Sequence, residues 1–354
     1  MKKRITELQK RLAENCAAII ENPENRLYFT GFHSSLGYLV VSRDRAVFLT
    51  DSRYIEAAGR CIEGAEITEY FSLSTVRDTL AGFGVEKVVL QSSTTTVAMA
   101  KTYEQALEGF EVSFEGGLDE IIADLRIIKD EGELENVVRA QRIAESAFEH
   151  VLGVIKEGMT EKQLALELDF YMLSHGADAL SFDTIAVSGK NSSLPHGVPS
   201  EKVLEKGDFI TMDFGAVVNG YHSDMTRTVA LGYVSDEQKR VYETVLMAQE
   251  TALAGIRAGV NCCDADALAR SVIEQAGYGS FFRHGLGHGV GVEIHEAPTV
   301  SPRGNVTLSE GMLITVEPGI YLPERFGVRI EDMVVVTENG CTNLTKADKS
   351  LIIL

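Results

Sequence analysis

Apolar and polar positions follow two different periods through the first part of the chain, and the switching between them predicts a small α/β domain ending near Glu115. From about Thr6 to Asn15 apolar residues return at helical spacing, so the charged stretch MKKRITELQKRLAEN reads as an amphipathic helix. AAIIENP and LYFTGF follow. GYLVVSRDRAVFLTD then reads as a β-hairpin turning at Ser42 to Arg45, where a small mixed sheet begins. EKVVLQSS and FEVSFEG supply two further strands around the helical pattern TVAMAKTYEQAL. Gly116 and Gly117 punctuate the end of this unit, placed at residues 1–118 with a linker at 119–126. A long helical pattern then runs from Leu125 toward Gly158 and turns into a second domain around Ile127 to Asp130. That domain is placed at 127–354.

The second domain repeats itself. KGDFITMDFG (206–215) lies over EGMLITVEPG (310–319), with Gly207 on Gly311, Asp213 on Glu317 and Gly215 on Gly319. Upstream, Gly158 and Gly176 bracket a helical stretch as Gly259 and Gly277 do, and His196 corresponds to His295. Downstream, HSDMT (222–226) answers RIEDM (329–333), which aligns Asp224 with Glu331. Each half thus offers two carboxylates and a histidine. A pseudo-twofold αβ core, with helices outside and strands around one shared site, is the simplest packing of two such halves.

Asn219-Gly220 is the strongest two-residue hairpin signal in the chain, and it fixes a register in which Gly215 faces Asp224 and Asp213 faces Thr226. Asp213 and Asp224 then project to one side as diagonal neighbours about 7 to 8 Å apart, close enough to converge on a metal ion. The duplication predicts the same diagonal arrangement for Glu317 and Glu331. His288 adds a nitrogen donor.

Composition narrows the partners. Of 354 residues, 45% are hydrophobic, which provides for an ample core, and 33 basic against 52 acidic residues give a net charge of −19. Nucleic acid and anionic membrane surfaces both need clustered Lys and Arg, so neither is expected as a partner. No stretch approaches the roughly eighteen apolar residues of a membrane span, and no apolar region follows the basic amino terminus as a signal peptide requires. Cys16, Cys61, Cys262, Cys263 and Cys341 are odd in number, scattered and without a CxxC, which fits reduced thiols in the cytoplasm.

The candidate chemistry collects between Arg283 and Glu331, in RHGLGHGVGVEIHEAP, EGMLITVEPGIY and FGVRIEDM. His284, His288 and His295 stand on glycine-rich backbone suited to close approach. Asp213, Asp224, Glu317 and Glu331 together carry four negative charges, which two divalent ions offset and a single ion does not. Oxygen donors with one imidazole suit Mn, Co, Fe or Zn. A pair of such ions activates water and holds a carbonyl oxygen, the equipment for hydrolysis.

MDFG, HSDMTRT, HGLGHGVGVEIHE, VEPGIY and RIED resemble the metal-binding segments of the creatinase, aminopeptidase P and methionine aminopeptidase family, and within it the Xaa-Pro peptidases of the aminopeptidase P and prolidase branch. The resemblance covers residues 127–354; NRLYFTGF and TDSRY carry it more loosely into the first domain. It implies an α/β (α+β) protein with a creatinase-like amino-terminal domain and a pita-bread catalytic domain, two divalent ions (Mn or Co, with Zn or Fe as further candidates), and a homodimer acting on short proline-containing peptides. In those terms Asp213 chelates one ion, His288 and Glu317 the other, Asp224 and Glu331 bridge both, and a bridging hydroxide is the nucleophile. Glu317 doubles as general base, His196 and His295 bind the substrate carbonyl or shuttle a proton, His284 stands beside the leaving group, and Arg329 steadies a ligand. Leu286 occupies a position where the family often has a small polar residue, which bears on the leaving-group pocket.

An Xaa-Pro bond is a tertiary amide with no N–H, so peptidases that grip that N–H fail on it and metals can polarise the carbonyl instead. The expected activity is release of the amino-terminal residue before proline. The nearest alternative is a strict Xaa-Pro dipeptidase, a prolidase. Retention of all five ligands opposes a metal-free amidinohydrolase and a non-peptidase pita-bread binding protein, and an extra domain of about 115 residues opposes a methionine aminopeptidase. Tyr28, Asp51 and Arg53 read as packing residues or as caps on a partner subunit's site. His33, His150, His175 and His222 read as ordinary surface or core histidines.

Overall fold

The amphipathic amino-terminal pattern folds as helix α1 (Lys2–Arg11), nearer the terminus than Thr6 to Asn15, because Leu12 is already extended and Asn15 takes a left-handed φ of 56°. In the computed structural model, which describes residues 1–354, the chain forms two units, Met1–Arg126 and Ile127–Leu354. The first continues with β1 (Cys16–Ile20), α2 (Pro23–Thr30), β2 (Tyr38–Ser42), β3 (Ala46–Thr50), α3 (Ile55–Cys61) and β4 (Glu66–Glu69). Then come α4 (Leu73–Phe83), β5 (Lys87–Leu90), α5 (Val97–Ala106), β6 (Glu111–Ser113) and α6 (Leu118–Arg126). The six strands form one mixed sheet in the order β4-β3-β2-β1-β5-β6, with the expected hairpin β2–β3 closed by Ser42 N–H donating to the Arg45 carbonyl at 2.8 Å. Residues 119–126, placed as a linker, form helix α6 together with Leu118. Leu118 and Ile122 are buried, Arg126 donates to Asn25 Oδ1 at 2.8 Å, and α6 therefore belongs to the first unit.

The second unit opens with α7 (Glu131–Leu152), whose start is fixed by a capping box of Asp130 and Glu133, and α8 (Glu161–Ser174), capped the same way by Thr160 and Gln163. β7 (Ala179–Leu180), β8 (Ile185–Ser188), β9 (Phe209–Phe214), β10 (Ala216–Val218), β11 (Tyr221–His222) and β12 (Met225–Ala230) complete its first half. The second half repeats the plan with α9 (Asp236–Gly255), α10 (Cys262–Gln275), β13 (Gly287–Gly289), β14 (Glu296–Val300) and β15 (Leu313–Val316). It ends with β16 (Gly319–Leu322), β17 (Phe326–Arg329), β18 (Asp332–Thr337) and β19 (Gly340–Asn343). Each half buries its own core: α7 and α8 over β8, β9, β10 and β12, and α9 and α10 over β15 to β18. The glycines that bracket α8 and α10 all have positive φ, between 87° and 102°, which only glycine adopts without strain. This is the pseudo-twofold plan that the internal repeat predicts. No helix is long and apolar enough to cross a membrane, and all five cysteines are free.

Candidate metal centre

The first hairpin keeps the register set by Asn219-Gly220. Val218 pairs with Tyr221, Met225 with Phe214 and Thr226 with Asp213, so Gly215 faces Asp224 where β9 passes into β10. A Cβ at position 215 would lie 1.9 Å from the Ser223 carbonyl oxygen, so only glycine fits there. Asp213 and Asp224 thereby reach one side of the hairpin.

The second hairpin departs from the diagonal arrangement expected for Glu317 and Glu331. Val316 pairs with Asp332 and Gly319 with Arg329, and the unpaired step between them leaves Glu317 directly opposite Glu331. The turn is the cause. Leu322 pairs with Phe326 across three residues, where the first hairpin uses two, so the residue facing the conserved-in-repeat glycine is Asp224 in one half and Arg329 in the other. Glu331 accordingly takes the place of Thr226 and meets it: Glu331 N–H donates to the Thr226 carbonyl at 3.1 Å, and Thr226 Oγ1 donates to Glu331 Oε2 at 2.7 Å. The repeat thus supplies three acids and an arginine on its two hairpin diagonals, with Glu331 as a fourth acid outside the simple symmetry.

His288 stands on β13 between these hairpins. Its Nδ1 donates to the Gly289 carbonyl at 3.0 Å, which leaves Nε2 with a lone pair 3.6 Å from Asp224 Oδ2 and 3.5 Å from Glu317 Oε1. Ligand atoms of Asp224, His288 and Glu331 all lie within 4.8 Å of one another. Asp213 accepts from Arg329 Nη2 at 2.5 Å through Oδ2, while its Oδ1 is buried with no partner. All five line one cavity of about 860 Å³.

Burial without a counter-charge distorts four of these groups. Burial, reinforced by neighbouring carboxylates, pushes Asp224 and Glu331 well above the carboxylate range. Burial lifts Glu317 to about 8 against the pull of Arg329, and lowers His288 to about 4. A cation among them would reverse the penalty on each carboxylate and accept the bare Asp213 oxygen, so the donor set fits a divalent metal.

Arg329 ties the centre together. Besides Asp213, its guanidinium donates to Thr226 Oγ1 at 3.0 Å, the Pro195 carbonyl at 3.1 Å and the Tyr321 hydroxyl at 2.8 Å. Tyr321 in turn hydrogen-bonds His284 Nε2 at 3.0 Å, and because His284 Nδ1 donates to the Gly285 carbonyl, Nε2 is the acceptor. Burial holds His284 near 4, hence neutral. His295 packs edge-on against His288 with ring centroids 4.4 Å apart, and His196 lines the same cavity from the Pro195–Pro199 loop. Leu286 points away into the apolar core of the second half, so it leaves the cavity wall to Gly285 and Gly287. Of the set-aside histidines, His150 and His175 both stack on Tyr171. Tyr28 donates its hydroxyl to the Leu125 carbonyl at 2.7 Å within the first unit, and Asp51 pairs with Arg53.

Sequence reasoning missed Tyr321, Thr226 and Arg227. All three lie inside the quoted motifs VEPGIY and HSDMTRT, but nothing in a single sequence marks a tyrosine or threonine as a hydrogen-bond relay. Arg227 is buried behind the centre, donating to the Thr226 and Glu331 carbonyls at 2.9 and 2.6 Å and to Asp332 at 2.7 Å. A charged residue within an apolar strand pattern was its only signal.

Residues 135–338 match the model of Metallopeptidase family M24, and residues 4–128 match that of the Creatinase/Prolidase N-terminal domain. An uncharacterised peptidase of Bacillus subtilis is 44% identical over 338 residues, 95% of each chain. Among solved structures, an Xaa-Pro dipeptidase from Bacillus anthracis matches with a TM-score of 0.96 at 41% identity, covering 99% of both chains. An X-Pro aminopeptidase from Thermotoga maritima matches at 0.91 and 38%, covering 98% of this chain and 100% of its own.

Proposed function

The chain belongs to metallopeptidase family M24, and on that premise we propose that it is an Xaa-Pro aminopeptidase that removes an amino-terminal residue preceding proline. The observation that carries the reading is the convergence of Asp213, Asp224, His288, Glu317 and Glu331 on one cavity, with a buried Asp213 oxygen left bare. Four carboxylates would be offset by two divalent ions, Mn or Co before Zn or Fe, and Asp213, Asp224, His288, Glu317 and Glu331 would hold them. When bound, such ions lower the pKa of water and polarise the scissile carbonyl.

The chain's own groups do the rest. Glu317, hydrogen-bonded by Thr315 Oγ1 at 3.4 Å, takes a proton from the attacking water and returns one to the departing proline nitrogen. His284, held neutral by burial and oriented by Tyr321, faces the leaving group, while His196 and His295 hold the peptide carbonyl. Arg329 fixes the direction of Asp213.

Peptides longer than two residues fit this cavity best. A strict dipeptidase needs a cation for the dipeptide's free carboxylate, but the lining carries no lysine and a single arginine, Arg329, already committed to Asp213, Tyr321 and Pro195. The second reading, a strict dipeptidase, is favoured by relatives of that name at 38 to 41% identity over almost the whole chain. Five scattered free cysteines suit a reducing compartment, which supports a place in the cytoplasm.

The test is to strip the protein with a chelator, restore Mn, Co or Zn separately, count bound ions, and compare an Xaa-Pro dipeptide with an Xaa-Pro-Xaa tripeptide. Metal-dependent cleavage of the tripeptide is expected. Cleavage of the dipeptide alone selects the prolidase reading, and no cleavage of either with any ion bound removes the peptidase reading.

A further inference from the structure

We propose that Asp183 makes this protein prefer peptides whose first residue is lysine or arginine. The inference rests on the Xaa-Pro reading above and adds a substrate class to it.

Position comes from the strand. In β8, Ile185 pairs with Asp213, so the two share a face of the sheet. Thr184, just before the strand, is buried and donates its hydroxyl to Asp169 of α8 at 2.5 Å. Asp183 lies two residues ahead of Ile185, outside the strand, and Phe182, Asp183, Thr184 and Ile185 all line the cavity that Asp213 also lines. Asp183 is thus close in sequence to the residue paired with Asp213 and shares its cavity. That position matters because the first residue of an Xaa-Pro peptide carries the attacked carbonyl at the centre, and a long side chain from its Cα reaches outward along the cavity wall.

Charge singles Asp183 out. The cavity is lined by six carboxylates and one arginine. Asp213 is paired with Arg329, Glu296 with the buried Lys129 at 2.5 Å, and Asp224, Glu317 and Glu331 belong to the donor cluster. Asp183 is exposed, no cation pairs with it, and the ionisable group it acts on, Asp169, is another carboxylate. The uncompensated negative charge therefore sits at the rim beside an apolar surface of Phe182 and Ile185. A side chain with an apolar stem and a cationic tip matches that pairing, whereas an acidic side chain is repelled, in a field that the chain's net charge of −19 reinforces.

The experiment compares kcat/KM for Arg-Pro-Gly, Leu-Pro-Gly, Glu-Pro-Gly and Leu-Pro-Arg on the metal-loaded full chain and on Asp183→Asn and Asp183→Lys. Expected is an order Arg over Leu over Glu at the first position. The Arg-to-Leu ratio should fall roughly threefold in Asp183→Asn, the scale of one exposed ion pair. In Asp183→Lys it should invert, and salt at about 0.5 M should flatten it in the unmodified protein. Equal rates for the three first residues, or an equal change for all of them in the variants, overturn the inference while leaving the peptidase reading intact. A charge effect confined to Leu-Pro-Arg overturns the assignment to the first residue. Failure to cleave even Leu-Pro-Gly removes the Xaa-Pro reading, and this inference with it.

Discussion

Asp213 shows how far one side chain depends on what stands behind it. Its Oδ2 is held by Arg329 and its Oδ1 is bare, so the guanidinium sets the direction in which the free oxygen faces. Lysine retains the charge but not the planar fork that reaches Asp213, Thr226, Pro195 and Tyr321 together. Arg329→Lys should weaken metal affinity about 10- to 100-fold, read by calorimetric titration of the metal-free protein. Tyr321→Phe cuts the relay from Arg329 to His284 without touching a donor to the metal. Its kcat should fall about five- to tenfold, the worth of one hydrogen bond, with bound metal per chain unchanged. A loss of metal in Tyr321→Phe would contradict the relay.

Elements set what these residues can reach. β9 and β12 bring Asp213 and Asp224 together only because residue 215 has no side chain to strike the Ser223 carbonyl. Gly215→Ala should cost about 1 to 3 kcal/mol in chemical denaturation and weaken metal binding, since the hairpin must open between the two acids. In the first unit the start of α6 is anchored by Asp119, which accepts from the Ser92 amide at 2.7 Å, both serine hydroxyls of Ser92 and Ser93, and Gln91. Burial works against the Asp119 charge, but these donors prevail and hold its carboxyl below the ordinary value. A depressed carboxyl contributes stability above its unfolded pKa and loses it as pH falls through the folded one. Asp119→Asn should therefore lower stability at neutral pH, with the difference from the unmodified protein shrinking as the pH is lowered past the ordinary carboxylate value. A difference that is constant with pH would show that the charge is not the cause. The register of the first hairpin was legible in the sequence because Asn219-Gly220 admits one turn. The second was not, because Pro323 to Arg325 gives no such unique length, and matching HSDMT to RIEDM put Glu331 opposite the wrong partner.

At the scale of the whole molecule, the buried acids couple the metal to folding. Without a cation, Asp224 and Glu331 lie well above the carboxylate range and Glu317 near 8, so the folded protein favours their neutral forms. A carboxyl raised in the folded state contributes fully below its unfolded pKa and loses that contribution as pH rises through the folded value. The chelator-treated protein should lose Tm from about pH 5 to about pH 8, whereas a bound cation accepts the ionised forms, so the gap between Mn-loaded and metal-free Tm should widen over that range. A gap independent of pH would contradict it. The sequence by itself determined the two-part organisation, the duplicated αβ plan and the first hairpin's register, because each is written in local signals: hydrophobic period, turn chemistry and an internal repeat; it also picked out Asp213, Asp224, His288, Glu317 and Glu331, which line one cavity. It also placed a linker where Leu118 and Ile122 bury a helix, since burial of a short amphipathic segment depends on a surface that the segment does not encode. Only the tertiary structure decided that Arg329 rather than an acid faces Gly319, that Tyr321 joins it to His284, that Leu286 turns into the core, and that Asp183 alone at the cavity rim keeps an uncompensated charge. The reason is physical: which polar groups are left without a partner is settled by side chains far apart in the chain, after packing has used up the others.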